Sequence, residues 1–231
     1  MTWDSESHLG SVDDSPSPQP APRAPEARTE PDLSPYWVER EQCSSPVSWG
    51  ELFGNDHPVE LEIGSGKGLF LMNAGTACPS HNFFGIELAR KYARNAAERI
   101  AKRKLDNVRI LSADAKLFMS RNVSTASLRA VHVYFPDPWW KKRHKKRRVF
   151  AEPLVNDIER GLEPGGDLWV VTDVEEYFGV ICELMSTRPL FEDVPFDEPK
   201  APENDQDYLT NFERKYRIEG RPIYRKHYRR V

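Results

Sequence analysis

An aspartate held between two prolines, Asp137 in Phe135-Pro136-Asp137-Pro138-Trp139-Trp140, ends the apolar run 130–135. Directly after it comes Lys141-Lys142-Arg143-His144-Lys145-Lys146-Arg147-Arg148, in which seven of eight residues are lysine or arginine. A carboxylate at the mouth of a buried strand, edged by that density of positive charge, suits chemistry on a polyanion, because such cations bind phosphates without reading sequence. Four more acids, Glu62, Glu87, Asp114 and Asp173, end or closely follow other apolar runs. One acid in such a place is a turn residue or a helix cap. Five in register repel one another and add little to folding, so together they point to a site.

The runs that carry these acids alternate with helical patterns. Residues 59–63, 82–87, 108–112, 130–135 and 168–172 have strand length and apolar character. Helices are expected over 67–77, 89–104, 115–119, 150–161 and 175–186, the second with Leu88, Tyr92, Ala96 and Ile100 at helical spacing and cations on its other face. Residues 212–218 and 222–228 flank Glu219-Gly220 as an antiparallel strand pair would. Strands alternating with helices imply an α/β fold with a parallel, doubly wound sheet and right-handed crossovers. Ligands of such sheets bind at the carboxyl ends of the strands, where the five acids lie.

The first of those ends is glycine-rich: Glu62-Ile63-Gly64-Ser65-Gly66-Lys67-Gly68. Glycines there allow a tight turn and close approach of backbone to a ligand. The dinucleotide fingerprint needs a sixth-place glycine, and Leu69 stands there; no Gly-Lys-Ser/Thr closes a phosphate loop either. The spacing acid-x-Gly-x-Gly-x-Gly resembles the first motif of Rossmann-like methyltransferases that bind S-adenosylmethionine. Glu87, at the end of the next strand, is placed to accept both ribose hydroxyl hydrogens of a nucleoside, a placement shared with NAD-binding proteins. Asp114 falls where the methyltransferase pattern has an acid near the adenine amino group, and equally where a helix over 115–119 needs its N-cap.

Composition sets bounds on the whole. The chain has 231 residues, enough for one domain with a tail. Residues 1–34 hold six prolines and a charge balance of −5, with almost no aliphatic side chains. That stretch cannot bury enough apolar area to offset ordering entropy and is expected to be a disordered acidic tail, leaving residues 35–231 as the domain. The net charge of −3 therefore hides +2 on the domain, with eight lysines and arginines among the last 18 residues. Neither a signal peptide nor a membrane-spanning run is expected. Cys43, Cys78 and Cys182 make no metal-ligand spacing with histidines, so neither zinc nor a disulfide framework is indicated, and a reducing cytoplasm fits.

From residue 36 onward the motifs resemble one family, the bacterial tRNA (guanine-N7)-methyltransferases (TrmB). Its Phe-Pro-Asp-Pro-Trp followed by Lys-x-Arg-His-x-Lys-Arg-Arg is matched by residues 135–148; Thr172-Asp173 and Thr210-Asn211-Phe212-Glu213 agree as well. Trp140 departs from the proline or small polar residue usual there, and the long proline-rich N-terminus departs from the compact family pattern. The resemblance implies a Rossmann-like class I S-adenosylmethionine-dependent methyltransferase, with a mostly parallel sheet and a C-terminal antiparallel pair. It implies methyl transfer to N7 of a guanine at position 46 of the tRNA variable loop, in a cytoplasmic enzyme without a metal or an obligate protein partner.

By the same resemblance Glu62, Gly64, Gly66, Glu87, Asp114 and Asp137 would contact the donor, Asp137 as the catalytic residue. Lys141, Asp173, Thr210, Asn211, Phe212 and Glu213 would contact the guanine-bearing substrate, with Asp173 or Glu213 accepting from the guanine edge. Arg143, His144, Lys145, Lys146, Arg147 and Arg148 would engage RNA. Guanine N7 has an in-plane lone pair and no proton, so its attack on a sulfonium methyl needs no general base, in keeping with the lack of a candidate catalytic histidine or cysteine. Three other readings stay open on the residues alone. They are a methyltransferase acting on another RNA, a protein or a small molecule, a non-catalytic RNA-binding protein on the same scaffold, and an NAD-dependent oxidoreductase.

Overall fold

A computed structural model describes residues 30–43, 45–139, 143, 147–196 and 209–231. Residues 1–29 of the expected tail lie outside the described residues. Pro31–Val231 forms one unit, so it begins slightly before residue 35. Leu33 packs against the core, and its carbonyl accepts from the amides of Tyr36 and Trp37 at 2.9 and 2.8 Å.

Eight strands build one sheet: β1 (Trp37–Val38), β2 (Val59–Ile63), β3 (Asn82–Glu87), β4 (Val108–Ser112), β5 (Leu128–Tyr134), β6 (Leu162–Thr172), β7 (Phe191–Val194) and β8 (Tyr224–Arg230). Their order across the sheet is β1-β4-β3-β2-β5-β6-β8-β7. The pairings from β1 through β6 are parallel, and β8 runs antiparallel to both of its neighbours. The helices are α1 (Trp49–Phe53), α2 (Leu69–Ala77), α3 (Arg90–Arg103), α4 (Ala115–Asn122), α5 (Glu152–Gly161), α6 (Glu175–Ser186) and α7 (Asn211–Ile218).

Side chains of a strand alternate between its two faces, and here each face has its own core. Leu61, Ile63, Phe84, Ile86, Val131, Val133, Leu168 and Val170 pack with residues of α1, α4, α5 and α6. Phe83, Val108, Ile110, Tyr134 and Val171 pack with α2 and α3. The sheet is therefore covered on both sides. The same alternation turns Glu60 and Glu62 of β2, with their paired neighbours Ala130 and His132 of β5, toward the α2 face.

Three expectations change. The antiparallel pair at the C-terminus exists, but its members are β7 and β8; residues 212–218 are not a strand. They form α7, because Thr210 Oγ1 caps it by accepting from the Glu213 amide at 3.1 Å. Glu213 and Arg217 then pair one turn apart at 3.0 Å, and Gly220, at φ 66°, ends the helix. The strand expected over 168–172 begins earlier, at Leu162, and runs through Pro164-Gly165-Gly166. Those three residues form a bulge inside β6, where the register jumps from Leu128 opposite Leu162 to Ala130 opposite Asp167. Finally, α2 starts at Leu69, since Gly64, Gly66 and Gly68 all have left-handed φ of 79°, 53° and 71°.

Candidate active site

Glu62, Glu87, Asp114, Asp137 and Asp173 lie at or just past the carboxyl ends of β2, β3, β4, β5 and β6, which are consecutive in the sheet. At a strand spacing of about 4.8 Å, five neighbouring strand ends span about 19 Å, the scale of a nucleoside with a base beside it. The acids share one edge rather than scattering.

The glycine loop is pinned from beneath. The Gly64 and Ser65 amides donate to the Ile86 carbonyl at 2.8 and 3.1 Å. Glu87 ties the loop to α3: its Oε2 accepts from the Gly66 amide at 2.9 Å and its Oε1 from the Ala89 amide at 2.8 Å. A methyl group at Gly64 or Gly66 would meet nothing within 4 Å, so the upper surface of the loop is clear. At Gly68 it would sit 2.9 Å from Ala96 Cβ. Two glycines thus leave room for a ligand, and the third lets α3 pack close.

Glu62 is 2% exposed. Burial first, and the charge of Glu87 second, push its carboxyl up to about 8. Its Oε2 has no hydrogen-bond partner among the described residues. A buried acceptor left unmet costs about 1–3 kcal/mol, and a cationic ligand on the clear side of the loop would meet it. These residues fit a sulfonium donor carrying an ammonium group. Both chains carry Glu62 protonated below about 4.5, its ordinary value. Between there and about 8 the unfolded chain releases the proton and the folded chain keeps it, so stability contributed by Glu62 is lost as pH rises through that window. The urea midpoint of the wild type is therefore expected to fall more between pH 6 and 8.5 than that of Glu62→Gln, while its affinity for a cationic ligand rises.

Asp114 caps α4, accepting the amides of Lys116 and Leu117 on Oδ1 at 2.9 and 3.3 Å. Asp137 is exposed on a turn whose ends, Phe135 and Trp139, have left-handed φ of 49° and 45°. Bulky side chains avoid that region at a cost of about 1–3 kcal/mol each. Two contacts hold the turn there: the Phe135 amide donates to the Val171 carbonyl at 2.7 Å, and Arg148 Nε donates to the Pro138 carbonyl at 2.7 Å.

Arg148 departs from its expected role. Its side chain is 7% exposed and lies 3.5 Å from Glu176, with the guanidinium 4.5 Å from the Tyr177 ring centre. Buried beneath the turn, it presents no exposed guanidinium to a phosphate and instead grips the Pro138 carbonyl. Arg143 and Arg147 are exposed, the latter stacked over Trp139 at 5.1 Å. Lys141, His144, Lys145 and Lys146 lie outside the described residues.

Glu213 departs too. It is 3% exposed and already accepts from the Leu209 amide at 2.8 Å, Arg217 Nε at 3.0 Å and Arg225 Nη2 at 2.6 Å. A carboxylate so engaged fastens α7 to β8. Thr210 is buried as the cap of α7, while Asn211 and Phe212 are exposed. The Phe212 ring lies 6.2 Å from Phe135 and 6.0 Å from Tyr216. Asp173, at the end of β6, is paired with Arg221.

Sequence reasoning missed a buried chain on the α2 face. His132 bridges the Tyr134 hydroxyl and Glu60 Oε2, each at 2.7 Å, and Glu60 Oε1 meets His81 at 2.6 Å. Burial would raise Glu60, but hydrogen bonds and charge from the two histidines outweigh it and hold the carboxyl low. Burial, then the charges of Glu62, Glu60 and Glu213, hold the Tyr134 phenol well above its usual value. The alternation that put Glu60 and Glu62 on one face was the signal available. Among the described residues no cluster of three or more histidines, cysteines or acids could hold a metal ion, and no helix is long and apolar enough to cross a membrane.

Residues 56–226 match a family described as "Putative methyltransferase". The chain is 43% identical over 205 residues to the tRNA (guanine-N(7)-)-methyltransferase of Rhodopirellula baltica, covering 86% of this chain and 76% of that one. It is 32% identical to the protein of the same name from Geobacter metallireducens, covering 86% and 94%. Among solved structures, the 16S rRNA methyltransferase KamB superposes with a TM-score of 0.58 at 14% identity, over 79% of this chain and 92% of that one. The aminoglycoside resistance methyltransferase NpmB1 does so at 0.53 and 18%, over 78% and 91%. Those two structures establish the fold, a Rossmann-like methyltransferase sheet. By its sequence, the chain belongs to the family of tRNA (guanine-N(7)-)-methyltransferases.

Proposed function

We propose that this protein transfers the methyl group of S-adenosyl-L-methionine to N7 of a tRNA guanine, the one at position 46 of the variable loop. One observation carries the reading: acids end five adjacent strands, and the chain runs from one of them, Asp137, directly into a basic sequence. The donor supplies an electrophilic methyl on a sulfonium. Glu62 meets its positive charge, the Gly64–Gly66 backbone lies along it, Glu87 accepts from the ribose hydroxyls, and Asp114 faces the base.

Transfer forms the N7–carbon bond as the sulfur–carbon bond breaks, and positive charge moves from sulfur to the purine. No proton has to move. The protein must hold the reacting atoms in line, and positioning supplies about 7–11 kcal/mol in favourable cases. Asp137, fixed on its strained turn, stabilises the cation that develops on the base. Asp173 accepts from the guanine N1–H and amino group, and Lys141 with Thr210, Asn211 and Phe212 surrounds the substrate. Arg143 and Arg147, with His144, Lys145 and Lys146, hold the phosphate backbone. A guanine engaged in tertiary pairing has to leave its stack to reach N7 attack geometry, at a cost of a few kcal/mol. A cytoplasmic location suits this substrate.

The deciding experiment is methyl transfer from labelled donor to unmodified tRNA, with the methylated nucleoside identified and its position mapped. Neutralising Arg143, Lys145 and Arg147 together is expected to weaken tRNA binding by about tenfold or more at physiological salt and to reduce the salt slope by two to three units. Donor affinity should stay at the wild-type value in the same calorimetric titrations. Equal loss of both affinities would refute the division of labour.

A further inference from the structure

Asp173, the carboxylate that the proposed function gives to the guanine edge, is engaged within the protein itself. Its side chain is 8% exposed, and Arg221 Nη2 is paired with its Oδ2. The guanidinium of Arg221 lies over the Tyr216 ring, 4.2 Å from its centre. Tyr216 belongs to an aromatic group, 5.5 Å from Phe135 and 6.0 Å from Phe212 at an interplanar angle of 27°, and Phe212 is 49% exposed. Arg221 thus combines two contacts, a planar face on an aromatic ring and an N–H edge on a carboxylate.

A guanine would seek the same two contacts. Its C2 with N1, N3 and the exocyclic N2 forms a guanidine unit: planar, with N–H donors on N1 and N2 along one edge and faces that stack on aromatic rings. Arginine's guanidinium is likewise planar, carries a fork of donors matched to carboxylates, and stacks on aromatic faces. One carboxylate and one ring face cannot serve both at once. We propose that Arg221 is a built-in stand-in for the substrate base, filling the subsite between Asp173 and Tyr216 until the target guanine displaces it. The inference rests on the proposed reading of Asp173.

The fold lets Arg221 leave. It sits in the short connection between α7 and β8, one residue after Gly220 at φ 66°, and is itself exposed. Its Nη1 is 3.8 Å from Glu219 Oε2, and both side chains are about two-fifths exposed, at 39% and 43%. A displaced guanidinium therefore keeps an acidic neighbour in solvent. The arrangement has two consequences. Asp173 is not left as an unpaired buried charge between turnovers. Any incoming base must also replace the donors it displaces. Guanine does so, whereas adenine presents no N–H at its N1 position and no 2-amino group, so it leaves the carboxylate unpaired.

The test uses the full chain, labelled donor and two unmodified tRNA transcripts, one with guanine and one with inosine at the target position. A competitor that closes the subsite nine-tenths of the time raises the apparent KM about tenfold. Arg221→Gln is expected to lower KM for the guanine transcript by about three- to tenfold, and by the same factor for the inosine transcript, because the competition lies within the protein. Arg221→Lys, which keeps the charge but loses the planar fork, should fall between Gln and wild type; melting curves establish that each variant is folded, and either one carries the test.

Unchanged KM in both variants overturns the stand-in. So does a raised KM in Arg221→Gln with a wild-type value in Arg221→Lys, which would make Arg221 a phosphate contact. Asp173→Asn separates the two levels of the argument. Loss of the guanine-over-inosine preference in Asp173→Asn without any gain from Arg221→Gln sinks the stand-in alone. Retention of that preference in Asp173→Asn sinks the base-reading role of Asp173 and the inference with it.

Discussion

Asp137→Asn is expected to slow single-turnover methyl transfer by about 10²–10³-fold with donor and tRNA both saturating, the loss typical of removing one fixed group that stabilises charge in a transition state. The substitution keeps the shape, exchanges one acceptor oxygen for an NH2 donor and removes the charge. The structure gives reason to expect charge to be the point. The turn that presents Asp137 holds Phe135 and Trp139 at left-handed φ of 49° and 45°, a conformation that a plain connection would avoid by using glycine. Saturating conditions take any change in donor affinity out of the measured rate. Rapid-quench kinetics giving a rate within threefold of wild type would reduce Asp137 to a turn residue between prolines.

Arg148→Ala should lower kcat by about 10²-fold while leaving tRNA affinity and its salt slope at wild-type values. Arg148 is buried and grips the carbonyl of Pro138, next to Asp137, at 2.7 Å. Misplacement by about 1 Å can cost 10²-fold in an in-line transfer. Arg148→Lys retains the cation without the fork or the stacking on Tyr177 and should recover part of the rate. The contrast with Arg143 and Arg147 is the informative part, since within one run of like charges those two are exposed and Arg148 is buried. Filter binding of tRNA over a range of salt, beside single-turnover rates, separates them. A salt slope reduced by one unit in Arg148→Ala would return Arg148 to the RNA-binding group. A loss of about 1–3 kcal/mol in urea unfolding is also expected from the carbonyl left without its donor.

The parallel half of the sheet was legible because short apolar runs end within two residues of a glycine or an acid: β2, β3 and β4 fall on residues 59–63, 82–87 and 108–112 as read. The same acids located the rim. What could not be read depended on partners distant in the chain. Arg148 is set by Glu176 and Tyr177, and nothing in the run 141–148 marks its last member as different. Glu213 is claimed by Arg225 of β8, which only the sheet brings near. The helix α7 was misread despite an available signal. Thr210-x-x-Glu213 is the pattern of a capped helix start, and Phe212 with Tyr216 has helical spacing, but the following Glu219-Gly220 also suits a hairpin. β1 has two residues, too few for any periodicity.

The two borders of the sheet bear on how the protein behaves when crowded. At one border stands β1, two residues long, and at the other β7, whose four residues include Glu192 and Asp193. An exposed strand recruits another chain when it is long, flat and uncharged. Here one margin is too short to template a ladder and the other presents carboxylates, one of them tied inward to Lys226. Self-assembly through strand addition is thereby discouraged at both margins, and the protein can be concentrated without zipping to its own copies.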